Sequence, residues 1–192
     1  PQVVMNGVAR GGSMLYASTL GADGKFARAD LHMGKGSGTV YGTAGNVSEQ
    51  SGTSIFDPVL TELAYRWFCP PAGLILDPFA GGSVRGIVAA RLGRQYIGVD
   101  LRAEQIQANR DQAAVIVPDD SPIWHTGDSR NIAKIAQGVG ADLLFTCPPY
   151  GDLEVYSDLT EDISTMDYPA FIASLRAILG HAIGMLKPDR FA

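Results

Sequence analysis

Cysteine is scarce in this chain of 192 residues: there are two, Cys69 and Cys147. Two thiols cannot build a disulfide framework, so a scaffold stapled by several bridges is excluded and a reducing cytosol is the expected compartment. The three histidines, His32, His125 and His181, are scattered, and no Cys/His group has the spacing of a zinc site, so no metal is expected. No apolar run approaches the roughly 20 residues that a spanning helix needs. No charged-then-apolar opening resembles a secretion signal. An excess of positive charge is also missing. The net charge is −5, which argues mildly against a dedicated nucleic-acid binder. The balance is uneven, however: residues 1–50 hold four basic and three acidic residues, the remainder 11 basic and 17 acidic.

What is present is the composition of a globular core, 46% hydrophobic and 18% charged, at a length that fits one domain with an extra segment. Residues 1–53 are rich in Gly, Ser, Ala and Thr and show no sustained period of 3.6 or 2. They read as largely irregular, with short strands around Val3–Met5 and Ser13–Tyr16. Residues 54–192 read as the folded domain. Asp57 and Pro58 suit the cap and first position of a helix whose apolar stripe is Leu60, Leu63, Ala64 and Trp67. Cys69-Pro70-Pro71 ends it. Strands and helices then alternate: strand 74–76, helix 83–92, strand 95–99, helix 103–115, strand 122–125, helix 129–137, strand 141–145. A long helix over 168–186 carries Phe171, Leu175, Ile178, Leu179, Ile183 and Leu186 on one face. Such alternation with short links predicts an α/β fold: a doubly wound, mostly parallel sheet with helices on both faces. Residue 1 is Pro, and the chain stops where the apolar residues of a further strand begin, so it is expected to be a piece of a longer protein with its last strands truncated.

Two stretches carry the chemistry. Asp77-Pro78-Phe79-Ala80-Gly81-Gly82-Ser83 follows the first predicted strand, and Thr146-Cys147-Pro148-Pro149-Tyr150 follows the fourth. Strand ends on the carboxyl rim of an open parallel sheet are where ligands bind. Glycines in the first turn let backbone approach a ligand, and the helix after it offers amide groups. The second strand ends at Asp100-Leu101, 23 residues after Asp77, where a carboxylate can accept hydrogen bonds from ribose hydroxyls. The third is followed by Asp128-Ser129, where Asp128 either accepts from an adenine amino group or caps the next helix. Three strands in succession, each with an aspartate at its carboxyl end, suggest a polar ligand on one rim. In the second stretch Pro148 and Pro149 have fixed φ and no N–H, so they hold carbonyls rigidly outward. A proline carbonyl and a side-chain acceptor before it can take both hydrogens of an exocyclic amino group. Tyr150 offers a flat face for a base swung out of its helix.

Asp77-Pro78-Phe79-Ala80-Gly81 resembles the S-adenosylmethionine motif of the amino-methylating DNA methyltransferases, which act on adenine N6 or cytosine N4. Gly82 and Ser83 exchange the family's usual Ser-Gly order. Ser54-Ile55-Phe56-Asp57-Pro58 resembles the family's other cofactor segment and implies that Phe56 lies near the methionine end of the cofactor; the alternative is a hydrophobic staple onto its own helix. Thr146–Tyr150 resembles the family's catalytic motif, [Asp/Asn/Ser]-Pro-Pro-[Tyr/Phe/Trp]. The resemblance covers residues 54–192 and implies a Rossmann-like methyltransferase fold, S-adenosylmethionine as cofactor, DNA as substrate with the target base flipped out, and the setting of a phage or prophage restriction-modification methylase.

Cys147 departs from that motif, since a thiol is a weak acceptor. Three readings stay open: an enlarged Ser with unchanged amino-group chemistry, a nucleophile adding to a pyrimidine ring carbon, or an inert residue in an altered site. The nucleophile needs a base or cation beside it, and no basic residue occurs between Asp142 and Arg176, which favours amino-group transfer. RNA or protein substrates and a non-catalytic binding module are the further alternatives. Residues 151–167 hold six acidic side chains and no Lys or Arg; they read as a solvated lid or as a contact for a basic partner.

Overall fold

The structure is a computed structural model, and it describes residues 56–151 and 155–192. They belong to the unit Ile55–Ala192 of the two into which the chain divides. The short strands expected near Val3–Met5 and Ser13–Tyr16 lie outside the described residues.

Helix α1 (Pro58–Phe68) starts as expected. Asp57 accepts from the amides of Val59 and Leu60 at 2.7 and 3.1 Å, and Pro58 opens the first turn. Of the predicted stripe, only Ala64 is on the buried face. Thr61, Ala64 and Tyr65 are buried, whereas Leu60, Leu63 and Trp67 are exposed. Two hydroxyl-bearing residues can occupy the core side because both hydroxyls are satisfied: Thr61 donates to Asp57 O and Tyr65 to Arg85 O.

From there the chain runs β1 (Leu74–Asp77), α2 (Val84–Arg91), β2 (Gln95–Asp100), α3 (Ala103–Ile116) and β3 (Ile123–Thr126). It continues through a 3₁₀ turn (Ser129–Asn131), α4 (Ile132–Ile135), β4 (Ala141–Leu144), a second 3₁₀ turn (Ile163–Thr165), α5 (Tyr168–Ile183) and β5 (Leu186–Phe191). Every strand pair is parallel, in the order β3-β2-β1-β4-β5. Successive strand residues feed opposite faces. Ile75 and Tyr96 join Tyr65, Ala89, Ile106 and Trp124 in the core under α1, α2 and α3. Leu76, Ile97 and Val99 join Ile132, Ala136 and Ala182 under α4 and α5. The sheet is doubly wound.

Two helices depart from the sequence pattern. The helix expected over 129–137 is a 3₁₀ turn followed by a single α turn, because the Asp128 carboxylate takes the Arg130 amide two residues on and tightens the entry. The helix expected over 168–186 ends at Ile183. Leu186 belongs to β5, and the buried positions are Phe171, Ile178 and Ala182. Ile183 is exposed, since the seam to the sheet is narrower than the apolar stripe. Among the described residues no helix is long and apolar enough to cross a membrane.

β5 is anchored to the sheet's centre by one buried carboxylate. Asp142 on β4 accepts from Lys187 Nζ at 2.7 Å, from the Leu74 amide at 3.0 Å and from Arg190 Nε at 3.0 Å. The Lys187 bond, helped by the Leu74 amide and Arg190, lowers its pKa from 3.8 to about 2 against the opposing effect of burial. A depressed native pKa means that the unfolded state binds more protons between the two values, so stability rises with pH there. The contribution of Asp142 is therefore present above pH 3.8 and lost as pH falls through about 2. In urea denaturation, the stability gap between the native chain and Asp142→Asn is expected to be widest near neutral pH and to shrink between pH 4 and 2. A gap independent of pH would contradict the assignment.

Candidate active site

Strand order places the site. β2 lies on one side of β1 and β4 on the other, so the connections leaving β1 and β4 diverge and open a crevice at the carboxyl ends. The loop after β1, residues 77–83, and the loop after β4, residues 145–150, are neighbours there although nearly 70 residues separate them. The Phe79 amide donates to Thr146 Oγ1 at 3.1 Å.

Asp77 turns inward from this rim. It is fully buried and takes four donors: Arg85 Nε at 2.6 Å, Tyr96 Oη at 2.7 Å, Thr146 Oγ1 at 2.6 Å and the Phe79 amide at 3.1 Å. The rim carboxylate expected there is thus buried beneath its loop, with its oxygens met from within the protein. Arg85 is the residue the sequence reading missed. Its guanidinium is buried, donates also to the carbonyls of Phe79 and Ala80, and lies 4.7 Å from the centre of the Phe56 ring. Burial opposes its charge, but Asp77 beside it more than compensates and raises its pKa. The same burial, with Asp77 adding to it, pushes the hydroxyls of Tyr65 and Tyr96 well above the usual phenol range, so both stay neutral donors. The signal available in sequence was a basic residue in the first turn of α2, where the helix dipole disfavours one.

The outer half of the loop is knitted to β2 and α3. Ala80 N donates to Val99 O, Gly81 N to Asp100 Oδ2 at 2.9 Å, and Asn109 Nδ2 to Gly81 O at 2.7 Å. Ser83 Oγ donates to Gln112 Oε1. Gly81 has φ +49°, a left-handed conformation that glycine adopts freely. A Cβ built on Gly81 or Gly82 meets nothing within 4 Å, so the space above both is open to a ligand. Gly98 beneath the loop has the opposite reason: a Cβ there would stand 2.8 Å from that of Ala80. Asp100 also accepts from the Arg102 amide at 2.9 Å. Each of its oxygens thus has one backbone donor and keeps acceptor capacity, and burial raises its pKa. Leu101 follows it, half-buried, at the mouth of the crevice.

Asp128 and Ser129 have partners within the chain. Asp128 caps the turn after β3 and pairs with Arg130 Nε at 2.8 Å, and the buried Ser129 hydroxyl donates to Pro78 O. Phe79 packs against the buried cluster of Ile163, Phe171 and Ile178. Phe56 meets Phe145 edge-on at 5.8 Å as well as Arg85. The staple position on α1 is Thr61, a polar residue, and the ring meets Phe145 after β4 and Arg85 on α2.

In the second loop, Cys147 Sγ lies 3.9 Å from Tyr150 Oη. Cys147, Pro148 and Pro149 are half-buried, and Tyr150 is 54% exposed, so its ring has a solvent-facing surface. Among the described residues no basic side chain contacts Cys147. The structure therefore brings Phe56, the Gly loop, Asp100, Ser129 and the Cys-Pro-Pro-Tyr loop to one crevice, and it turns Asp77 and Asp128 toward internal partners. No group of His, Cys, Asp and Glu among the described residues could hold a metal ion.

A family model described as DNA methylase matches residues 32–111, which include the Gly loop and Asp100 and end before Thr146. The chain is similar to the type II methyltransferase M2.DpnII of Streptococcus pneumoniae, 50% identical over 36 residues, which are 19% of this chain and 13% of that protein. Its fold is similar to that of TrmN from Thermus thermophilus, at TM-score 0.53 and 20% identity, over 68% of this chain and 35% of that one. These matches span 13% and 35% of the length of those two proteins.

The Arg85–Asp77 pair sets a test. Arg85→Met leaves a buried carboxylate without its counter-charge, and such a loss destabilises by about 3–5 kcal/mol. Arg85→Lys keeps the charge but cannot fork to Asp77 and two carbonyls, and is expected to recover only part of it. Denaturation midpoints measure both. An unchanged midpoint for Arg85→Met would remove the pair from its place at the base of the site.

Proposed function

We propose that the chain is a DNA methylase of the N6-adenine/N4-cytosine type, as the matches over residues 32–111 and to M2.DpnII support, and that it transfers a methyl group from S-adenosylmethionine to an exocyclic amino group of a DNA base. The observation that supports this reading is the junction of the two loops at Thr146, which brings the Gly loop beside a Pro-Pro loop whose Tyr150 ring is partly exposed.

The residues fit the cofactor. Open space lies over Gly81 and Gly82, and the Asp100 carboxylate retains lone pairs for vicinal hydroxyls. Phe56, held between Phe145 and Arg85, is the apolar wall on the side of the second loop. When bound, S-adenosylmethionine supplies an electrophilic methyl group on a sulfonium. The protein's share is orientation. The Pro148 carbonyl accepts one hydrogen of the target amino group, and Cys147 stands where the second acceptor belongs. Both bonds draw the nitrogen lone pair out of conjugation with the ring and toward the methyl. Tyr150 stacks on the base, a contact that contributes about 1–3 kcal/mol in proteins that bind unpaired bases. Reaching this loop requires that the base leave its duplex, because the amino group is otherwise paired inside it.

The weak point of this acceptor pair is the thiol, which favours keeping one second reading: Cys147 as a nucleophile on a pyrimidine ring carbon. No basic neighbour among the described residues supports a thiolate there. The experiment that tests the proposal is transfer of a labelled methyl from S-adenosylmethionine into DNA, RNA and protein pools. Label on adenine N6 or cytosine N4 of DNA is the expected result, and label in RNA or protein alone would overturn it.

Two variants refine the roles. Asp100→Ala is expected to weaken S-adenosylmethionine binding by about 1–3 kcal/mol through lost charge-assisted hydrogen bonds, read by calorimetry; unchanged affinity would take Asp100 out of the cradle. Cys147→Ser and Cys147→Asp are expected to retain or raise transfer to an amino group. Near-abolition by Cys147→Ser, together with a covalent adduct on a 5-fluoropyrimidine substrate, would move the chemistry to ring carbon.

A further inference from the structure

The Thr146 hydroxyl has two partners, and both belong to the cofactor loop. It donates to Asp77 Oδ1 at 2.6 Å and accepts from the Phe79 amide at 3.1 Å. Thr146 stands at the point where the ladder ends: the Phe145 amide makes the last bond to β1, at Leu76 O. Beyond it Pro148 and Pro149 have no N–H to offer. Among the described residues, the two bonds at the Thr146 hydroxyl are the hydrogen bonds recorded between Thr146–Pro149 and the rest of the site.

The two loops depend on this hydroxyl unequally. The Phe79 amide is shared, for it also reaches Asp77 Oδ1 at 3.1 Å. Asp77 keeps Arg85 and Tyr96, and the Gly loop keeps Asp100 and Asn109. Removing the hydroxyl leaves every one of those bonds in place. The acceptor loop would lose both bonds that Thr146 makes to the cofactor loop.

We propose that Thr146 is a positioning residue for methyl transfer: its hydroxyl fixes the Cys147–Tyr150 loop over the cofactor loop, and it does so without contributing to cofactor affinity. The inference rests on the methyl-transfer reading above. It makes the placement of the target amino group, rather than the binding of the cofactor, the property that one side-chain oxygen controls.

The test compares Thr146→Val, which keeps the shape and removes the hydroxyl, with Thr146→Ser, which restores it. Hydrogen exchange in the free protein is followed at the amides of 146–151 and of 79–83. Loss of the tether in Thr146→Val is expected to speed exchange at 146–151 by about tenfold, with less than about threefold change at 79–83. S-adenosylhomocysteine affinity, by calorimetry, is expected to stay within about threefold, while single-turnover transfer to DNA falls by about tenfold or more. Thr146→Ser is expected to recover both exchange and transfer. Equal loosening of both loops with affinity falling in step with transfer would reduce Thr146 to a stability role and overturn the proposal, as would unchanged exchange at 146–151. A native chain that binds no S-adenosylhomocysteine would sink the methyl-transfer reading instead, and the exchange comparison in the free protein would still decide whether the tether exists.

Discussion

One buried carboxylate holds the functional end of this domain together. Asp77 ends the central strand and has no access to solvent, so its charge and its lone pairs must be met from within the protein. They are met by a guanidinium from α2, a phenol from β2, a hydroxyl from the loop after β4 and an amide from its own loop. Each donor comes from a different element, and each is thereby referred to the same point. Arg85 extends the network upward to the carbonyls of Phe79 and Ala80 and sideways to the Phe56 ring. Tyr65 closes it from α1 through the Arg85 carbonyl. Ion pairs of this kind are weak evidence for net stability, but taking one partner away leaves an uncompensated charge. Their effect here is to specify one arrangement of the two loops.

The aspartates at the strand ends divide the labour. Asp77 faces inward and sets the frame. Asp100 takes one backbone donor on each oxygen and keeps the remaining lone pairs for the ribose hydroxyls of the proposed cofactor. Asp128 is committed to Arg130 and to its own turn. The buried Asn109, bonded to Gly81 O, supports the Gly loop from α3 in the way Ser129 supports it from β3 at Pro78 O. Above Gly81 and Gly82 the loop offers backbone and open space, and the side chains behind it act as supports. That is the arrangement a Gly loop requires, since close approach of backbone to a ligand demands that the backbone be held from behind.

The acceptor loop shows the opposite economy. Its proposed reactive surface is Pro148, Cys147 and Tyr150, and Thr146 ties its start to the cofactor loop. A polarisable sulfur next to a phenol can accept a hydrogen bond only weakly. In the proposed reaction the Pro148 carbonyl then carries more of the work of orienting the amino group, and Thr146 tethers the start of its loop.

The sequence by itself determined the element order, the parallel sheet and the two loops. These rest on local signals: capping residues such as Asp57 and Pro58, apolar runs such as Leu74–Leu76, and the Gly and Pro-Pro punctuation after β1 and β4. Those signals report on neighbours a few residues apart, so they located Phe56, Gly81, Asp100 and Tyr150 without saying which way any side chain points. Only the tertiary structure decided that Asp77 is buried, that Arg85 is its counter-charge and that Asp128 is spent on Arg130. It also reversed the inward face of α1, where satisfied hydroxyls let Thr61 and Tyr65 displace the leucines, and it cut the last helix short at Ile183. The physical reason is the same in each case. A polar group is placed by the partner that satisfies it, and for Asp77 and Thr146 that partner lies nearly 70 residues away, across a strand order that periodicity and spacing do not encode.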